Sequence, residues 1–407
     1  MTETVTLADI EAARDRFDDP AIVRQTPIET SRSLSAMSGG DVHLKMEHLQ
    51  RTGSFKTRGA YNKLKQEAEA GSDNHVVAAS AGNHAQGVAL AATTVGLEST
   101  IVMPENAPQA KIDATRSYGA TVELHGSNFG EAMAYAKSLA EKPGMLFVHA
   151  YDDPDIVAGQ GTLGLEIYEQ VPDVDTVIVP IGGGGLIGGI STALKALDDS
   201  VRVIGVQAEL ASTVHESLRK GMPVDEDSPK TIADGIATGS ISELTLGLIE
   251  DHVDEVVTVS DDDIARAILT VLERAKQLVE GAGAASVAAM LSDQVDVEGE
   301  TVVPLLCGGN IDMSMLQTVL THALTDRSQL LRLRIHIRDQ PGEMGRISSI
   351  IGEQGANIRT VRHDRAVGDL QVGDAYLVFQ VITSGESHAK SVMSSIEDAG
   401  YEVERVN

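Results

Sequence analysis

The chain has 407 residues, of which 42 % are hydrophobic, and a formal net charge of −28 at pH 7. Its length suits two or three domains, and its hydrophobic share excludes a largely disordered chain. The negative charge argues against nucleic acid and anionic membranes as partners. With no long apolar run, no signal-peptide pattern and one cysteine, Cys307, we expect a cytoplasmic protein without an intrachain disulfide.

The acidic side chains number 60 against 32 basic ones, and they are spread along the chain rather than gathered in a tail. An ordinary acidic cytosolic protein is one interpretation. The other is adaptation to molar salt, where counterions screen the repulsion between dense surface carboxylates. We favour the second interpretation, which predicts a halophilic protein.

Short β-rich runs alternate with helical stretches from Val76 to Ile204. This alternation predicts an α/β fold with parallel sheets covered on both faces. In such folds ligands bind at the carboxyl ends of the strands. The predicted strands of this region are 76–80, 99–104, 121–126, 176–181 and 201–209.

The pattern changes after Thr325. The run LRLRIHI (331–337) alternates with period two, and helices are predicted near 344–354 and 384–399. The element order over the tail is βαββαβ, which is typical of a ferredoxin-like module. The sequence therefore predicts a second domain at 326–407.

Two motifs near the predicted strands contain candidate site residues. SFKTRGA (54–60) carries a lysine that, taken alone, is typical of a surface residue. SAGNHAQG (80–87) follows a strand and begins a helix, whose unsatisfied N–H groups favour an anion such as a carboxylate. An ordinary strand-to-helix turn remains the alternative for this second motif.

Two further motifs follow later strands. GGGGL (182–186) leaves its backbone free to surround a phosphate at a helix N-terminus. Three glycines here also match G-x-G-x-x-G, and Glu209 follows about 21 residues later, as in dinucleotide-binding folds. CGGN (307–310) places a cysteine at a strand end, either as a small buried hydrophobe or facing a ring. The glycines of the dinucleotide pattern are Gly183, Gly185 and Gly188.

Taken together in this order, the four motifs resemble those of the fold-type II pyridoxal-phosphate enzymes. With TIADGIA (231–237), they are similar to the threonine/serine dehydratase branch. The resemblance implies a catalytic domain over 1–325, made of two parallel-sheet αβα subdomains, the smaller one (about 53–150) inserted in the larger. In the tail, DQPGEMG (339–345) and GANI (355–358) resemble the ligand loops of an ACT domain, a module that binds small amino acids.

The resemblance implies a role for each matching residue. Lys56 would hold pyridoxal 5'-phosphate as a Schiff base and then act as the catalytic base, while Asn83 would hydrogen-bond the ring oxygen of the cofactor. Phe55 would pack on a ring face, and Cys307 would lie at the pyridine nitrogen. The phosphate would be held by Gly182, Gly183, Gly184, Gly185 and the N–H of Leu186. The substrate carboxylate would be held by the loop of Ser80, Asn83 and His84, and no metal ligand is assigned.

These roles imply β-elimination of L-threonine to 2-oxobutanoate and ammonia, with side activity on L-serine. Burial of Lys56 would lower the pKa of its amine so that it acts as a base near pH 7. A neutral thiol at Cys307 is a weak donor, which favours prompt elimination. Serine racemases of this family carry a second serine where this chain has Ala81, so the resemblance predicts poor racemisation.

The ACT resemblance implies amino-acid regulation and a homodimer or homotetramer, with effector pockets between copies. The residues implied in these pockets are Asp339, Pro341, Gly342, Asn357 and Ile358. Two other functions remain open at this point. The dinucleotide pattern allows a nicotinamide-dependent oxidoreductase, and the tail allows a non-catalytic amino-acid sensor.

Overall fold

The fold is described from a computed structural model that covers residues 4–226, 230–292, 294–365, 368 and 370–406. The chain forms two compact units, of which the first ends at Asp312 and the second begins at Met313. Within the described ranges, no helix is both long and apolar enough to cross a membrane.

The first unit alternates strands and helices. Its strands are β1 (Ile28–Thr30), β2 (Asp41–Lys45), β3 (His75–Ala79), β4 (Ser99–Met103), β5 (Thr121–Leu124), β6 (Met145–Phe147), β7 (Thr176–Pro180), β8 (Arg202–Ala208), β9 (Glu255–Val259) and β10 (Thr301–Pro304). Its α-helices are α1 (Leu7–Asp15), α2 (Arg32–Ser38), α3 (Lys56–Glu69), α4 (Asn83–Val95), α5 (Gln109–Ser117), α6 (Phe129–Ala140), α7 (Pro154–Gln170), α8 (Gly185–Leu197), α9 (Val214–Lys220), α10 (Glu243–His252), α11 (Asp261–Thr270) and α12 (Gly281–Leu291). Short 3₁₀ segments lie at Glu47–Leu49, Glu209–Ala211 and Asp234–Ile236, and Val271–Ala275 is π-helical.

Two sheets organise this unit. The larger has the strand order β1-β2-β10-β7-β8-β9, and its pairs are parallel except for β1 with β2. The smaller has the order β5-β4-β3-β6 and is parallel throughout. Every residue of β7 is buried, as expected for a strand covered on both faces. The predicted α/β fold is therefore confirmed, with strand ends that differ by one or two residues.

The second unit contains an antiparallel sheet with the order β12-β13-β11-β14. The alternation predicted for LRLRIHI is confirmed, because its four apolar residues are buried and pack in one core. After helix α13, the element order is the predicted βαββαβ. These elements are α13 (Met313–Asp326), β11 (Leu330–Arg338), α14 (Glu343–Glu353), β12 (Asn357–Asp364), β13 (Asp374–Ile382), α15 (Glu386–Asp398) and β14 (Glu402–Arg405).

A buried cluster of charges joins α3 to the larger sheet and to α7. Arg58 on α3 bonds Glu47 through Nε at 2.6 Å and Glu166 on α7 through Nη1 at 2.6 Å. Lys45, at the end of β2, bonds the other oxygen of Glu166 at 2.6 Å. The positive charges of Lys45 and Arg58 balance the negative charges of the two carboxylates, and both cationic side chains are fully buried. Burial disfavours a charged Arg58, but the two carboxylates raise its pKa above the usual range. The cluster fixes the first turn of α3, where Lys56 lies.

Candidate active site

A cavity of about 320 Å³ lies at the carboxyl ends of β3 and β7, where open parallel sheets bind ligands. Its wall includes the four motifs singled out in the sequence, which are distant along the chain. One leads into α3, one follows β3 of the smaller sheet, and two follow β7 and β10 of the larger sheet. All the catalytic, cofactor and substrate residues predicted from the sequence line it. They are Phe55, Lys56, Ser80, Asn83, His84, Gly182, Gly183, Gly184, Gly185, Leu186 and Cys307.

Lys56 is the first residue of α3, and its amine points into the cavity wall. Its Nζ donates to the backbone oxygen of Ala150 at 3.0 Å and lies 5.0 Å from the ring centre of Phe55. Burial lowers the pKa of this amine from 10.5 to about 8. The neutral amine, which a nucleophile and a base both require, is therefore much more populated near neutral pH than in an exposed lysine.

The glycine loop has no room for side chains. Gly184 has a φ of +87°, and a Cβ on Gly183 would approach the ring of Tyr151 to 2.1 Å. Helix α8 begins directly after Gly184, and no side chain caps it. Its first N–H groups are therefore free to bind an anion. A loop of this kind fits the phosphate of pyridoxal phosphate.

Asn83 begins α4 and makes two side-chain hydrogen bonds. Its Nδ2 donates to Oε1 of Glu280 at 2.7 Å, and its Oδ1 accepts from Nδ2 of Asn310 at 2.8 Å. Glu280 is buried, and burial raises the pKa of its carboxyl to about 7. Neither partner of Asn83 was assigned a role from the sequence.

One hydrogen bond within the loop between β3 and α4, and one from the first turn of α4 to the residue after β6, hold this segment in place. The N–H of Gly82 donates to the Ser80 hydroxyl at 3.1 Å, and Nε2 of His84 donates to the Val148 carbonyl at 3.0 Å. Burial lowers the pKa of His84 to about 3, so its ring is neutral at physiological pH. Ala81 also lines the cavity, and its methyl group has no exchangeable proton.

Cys307 follows β10 and is buried. Its thiol donates to the carbonyl of Ala282 at 3.4 Å. Burial raises the pKa of this thiol, and the nearby Glu280 carboxylate acts in the same direction. Cys307 is therefore neutral, and its S–H group is hydrogen-bonded to a backbone oxygen.

Several cavity residues were missed at the sequence level. Lys111 on α5 and Asp234 form an ion pair at 3.0 Å, and both line the cavity with Tyr151 and Glu280. Glu280 precedes α12, whose first residues are all glycine or alanine. Such small residues are a weak signal that another part of the backbone packs closely against the helix. Asn310 is the last residue of the CGGN motif, so the sequence placed it near the site but gave it no role.

The predicted regulatory residues lie in the second unit. Asp339 follows β11 and accepts a hydrogen bond from Nε of Arg365 at 2.7 Å. Strands β11 and β12 run in the same direction, because each is antiparallel to β13. Asn357 starts β12, so it lies roughly 25 Å from Asp339, at the other end of the sheet. Pro341 and Gly342 are beside Asp339, and Ile358 is beside Asn357, so one chain does not bring the two motifs together.

Comparison with known proteins identifies the family. The sequence model of the pyridoxal-phosphate dependent enzymes matches residues 21–308, more than half of the chain. This range includes the lysine, asparagine, glycine-loop and cysteine positions that line the cavity. The chain belongs to this family.

Relatives narrow the class further. An L-threonine ammonia-lyase of Thermotoga maritima is 44 % identical over 399 residues, which is 98 % of this chain and 99 % of the relative. The processed threonine deaminase isoform 2 of Solanum lycopersicum superposes with a TM-score of 0.73 at 35 % identity, covering 79 % of this chain and 90 % of that one. Maize serine racemase superposes with a TM-score of 0.73 at 34 % identity, covering 80 % and 100 %.

The protein is thus a pyridoxal-phosphate-dependent lyase of fold type II, as the four motifs predicted. The family match sets aside the dinucleotide alternative. The family model ends before the tail, so the ACT assignment stays a prediction.

Proposed function

We propose that this lyase converts L-threonine to 2-oxobutanoate and ammonia, with slower turnover of L-serine. The observation that carries the proposal is the position of Lys56, a buried amine of lowered pKa, in the cavity that also contains the glycine loop. An L-threonine ammonia-lyase is 44 % identical over nearly the whole chain, which supports threonine as substrate. The atoms balance, because the water lost from the substrate side chain is regained on release of ammonia.

Pyridoxal phosphate, when bound, supplies an electron sink for the charge left at the substrate Cα. The chain supplies the base and the orientation. The neutral amine of Lys56 removes the Cα proton and holds it on Nζ. Because the amine is desolvated at its site, this transfer is feasible near neutral pH.

Other residues hold the reactants in place. The N–H groups of the loop from Gly182 to Leu186 bind the phosphate, and the Asn83 amide binds the ring oxygen. The loop that begins at Ser80 binds the substrate carboxylate at the N-terminus of α4. The neutral thiol of Cys307 leaves the pyridine nitrogen without a strong proton donor, which favours elimination over racemisation.

The direct test is an assay of 2-oxo acid release. Purified protein with pyridoxal phosphate is given L-threonine or L-serine, and 2-oxobutanoate or pyruvate is measured together with ammonia. We expect equal amounts of oxo acid and ammonia, formed faster from threonine. If neither L-threonine nor L-serine gave oxo acid and ammonia, at low or at high salt, the proposal would be contradicted.

Ala81 leads to a prediction about stereochemistry. Because a methyl group cannot carry a proton to the opposite face of the substrate, we expect L-serine to yield pyruvate with negligible D-serine. Chiral analysis of the amino acid that remains after incubation measures this. In the Ala81→Ser variant we expect D-serine to become detectable, and D-serine formation by the unchanged protein would mean that another residue acts as the second base.

The tail leads to a prediction about regulation. We propose that residues 326–407 form an ACT domain that binds a branched-chain or similar amino acid between copies in a homodimer or homotetramer. The separation of Asp339 from Asn357 within one chain supports a pocket completed by a second copy. We expect at least one of isoleucine, valine and leucine to change threonine turnover several-fold. Unchanged turnover with all small amino acids, or a monomer by light scattering, would contradict this.

The net charge leads to a prediction about salt. In 10 mM salt the Debye length is about 30 Å, so the 28 excess negative charges repel one another across the fold, whereas at 1 M it is about 3 Å. We propose that the protein is adapted to high salt and loses activity and subunit contacts on dilution. The measurement is a thermal melt with light scattering from 10 mM to 3 M KCl. A melting temperature independent of salt would refute the adaptation without affecting the lyase assignment.

A further inference from the structure

A chain of amide hydrogen bonds starts at a backbone carbonyl behind the cavity. Nδ2 of Asn310 donates to the backbone oxygen of Thr52 at 2.7 Å and to Oδ1 of Asn83 at 2.8 Å. A backbone carbonyl can only accept, so it fixes which end of the Asn310 amide is nitrogen. Both N–H groups of the Asn310 side-chain amide are then used, and Asn83 must present its oxygen to Asn310.

The opposite end of the Asn83 amide is fixed by a carboxyl group. Nδ2 of Asn83 donates to Oε1 of Glu280 at 2.7 Å. One N–H of Asn83 therefore remains, and among the described residues it has no protein acceptor. Asn83 lines the cavity, so this N–H is available to a bound molecule.

The surroundings leave the network little freedom to rearrange. A Cβ on Gly53 would approach Oδ1 of Asn310 to 2.4 Å, and a Cβ on Gly308 would approach Oε1 of Glu280 to 2.1 Å. Glu280 itself is only 4 % exposed. Two glycines therefore allow the backbone to close around the amide of Asn310 and the carboxylate of Glu280.

We propose that Asn310 and Glu280 are positioning residues that hold the amide of Asn83 in one orientation, with an N–H rather than the carbonyl oxygen facing the ring oxygen of the cofactor. The proposal rests on the proposed function, because it takes from it the role of Asn83 as partner of that ring oxygen. It gives a role to Asn310, the final residue of the CGGN motif, and to the buried carboxylate of Glu280, neither of which takes part in the elimination itself. If the Asn83 amide turned over, an oxygen lone pair would face the ring oxygen, and attraction would become repulsion.

The principal test is Asn310→Asp, which replaces the donor beside Asn83 Oδ1 by an acceptor of the same size. We expect the Asn83 amide to turn over and the cofactor to lose a charge-assisted hydrogen bond, so release should accelerate by about tenfold or more. Release of pyridoxal phosphate from the full-length holoenzyme is followed at pH 8. The pH midpoint of the visible absorbance band should shift as well.

A double-mutant cycle separates positioning from a general structural effect. In an Asn83→Ala background, Asn310→Asp should change the release rate by less than about twofold, because the residue through which it acts is gone. An equally large effect in both backgrounds would overturn the proposal. So would an Asn310→Asp holoenzyme with the release rate and absorbance band of the parent protein.

Glu280 provides a second, independent pair of variants in case Asn310→Asp does not fold. Glu280→Gln retains an oxygen that accepts from Asn83, so we expect release within about threefold of the parent, whereas Glu280→Leu removes the acceptor and should accelerate release by about tenfold or more. Glu300→Gln, at a half-buried carboxylate bonded to Arg202, is the matched control and should have the parent rate. Equal release from the Gln and Leu variants at 280 would overturn the proposal. If the parent protein forms no visible band with pyridoxal phosphate, the proposed function fails instead.

Discussion

Lys56→Ala is expected to lower 2-oxo acid release by at least about 10³-fold, because a positioned general base alone contributes on the order of 10² to 10⁴. The substitution also removes the amine that would attach the cofactor. Turnover with L-threonine and the visible spectrum of the loaded protein are measured together. Both the turnover and the absorbance band should be lost, while the far-UV circular dichroism should stay that of the parent.

The matched control for this prediction lies two helical turns further along α3. Lys63 forms ion pairs with Asp155 at 2.9 Å and with Asp153 at 3.3 Å, and it does not line the cavity. Lys63→Ala should retain the visible band and most of the turnover. Turnover at the parent rate in Lys56→Ala would rule out this amine as the base.

Arg58→Met is expected to lower the free energy of unfolding by about 3 to 5 kcal/mol, the usual consequence of removing one partner from a buried ion pair. The carboxylates of Glu47 and Glu166 would then share only Lys45 as a buried cation. Urea denaturation at fixed salt and subunit concentration measures the change. If Arg58→Met gives no soluble protein, Arg58→Lys, which keeps the charge but loses the forked geometry, should show a smaller loss.

A surface ion pair provides the comparison. Arg14 bonds Glu169, and both side chains are exposed, by 40 % and 51 %. Arg14→Met should change the free energy of unfolding by less than about 1 kcal/mol. A similar small change in Arg58→Met would show that the buried cluster does not stabilise the fold.

The position of the cavity was predictable from the sequence for a specific reason. SAGNHAQG follows β3 of the smaller sheet, and GGGGL and CGGN follow β7 and β10 of the larger sheet, so each motif lies at the carboxyl end of a parallel strand, where ligands bind. Asn83 and Gly184 were therefore placed in one site by pattern and resemblance alone. The alternation of LRLRIHI likewise predicted one face of the antiparallel sheet in the second unit.

The partners of these residues were not predictable in the same way. Asn83 and Glu280 are 197 positions apart, and Arg58 and Glu166 are 108 apart. No hydrophobic period marks such a pair, because each depends on how two distant elements pack. A charged residue in a helix is typical of the surface, so the burial of Arg58 becomes visible only when α3, α7 and β2 are seen together.

Covalent attachment of the cofactor at Lys56 is the central feature of the proposed active site. The protein is loaded with pyridoxal phosphate, reduced with borohydride to trap a carbon–nitrogen double bond, digested and sequenced by mass spectrometry. We predict one pyridoxyl group per chain, on Lys56, and none in the Lys56→Ala variant. Modification of a different lysine, such as Lys111, or the absence of any modified lysine, would contradict the proposed active site.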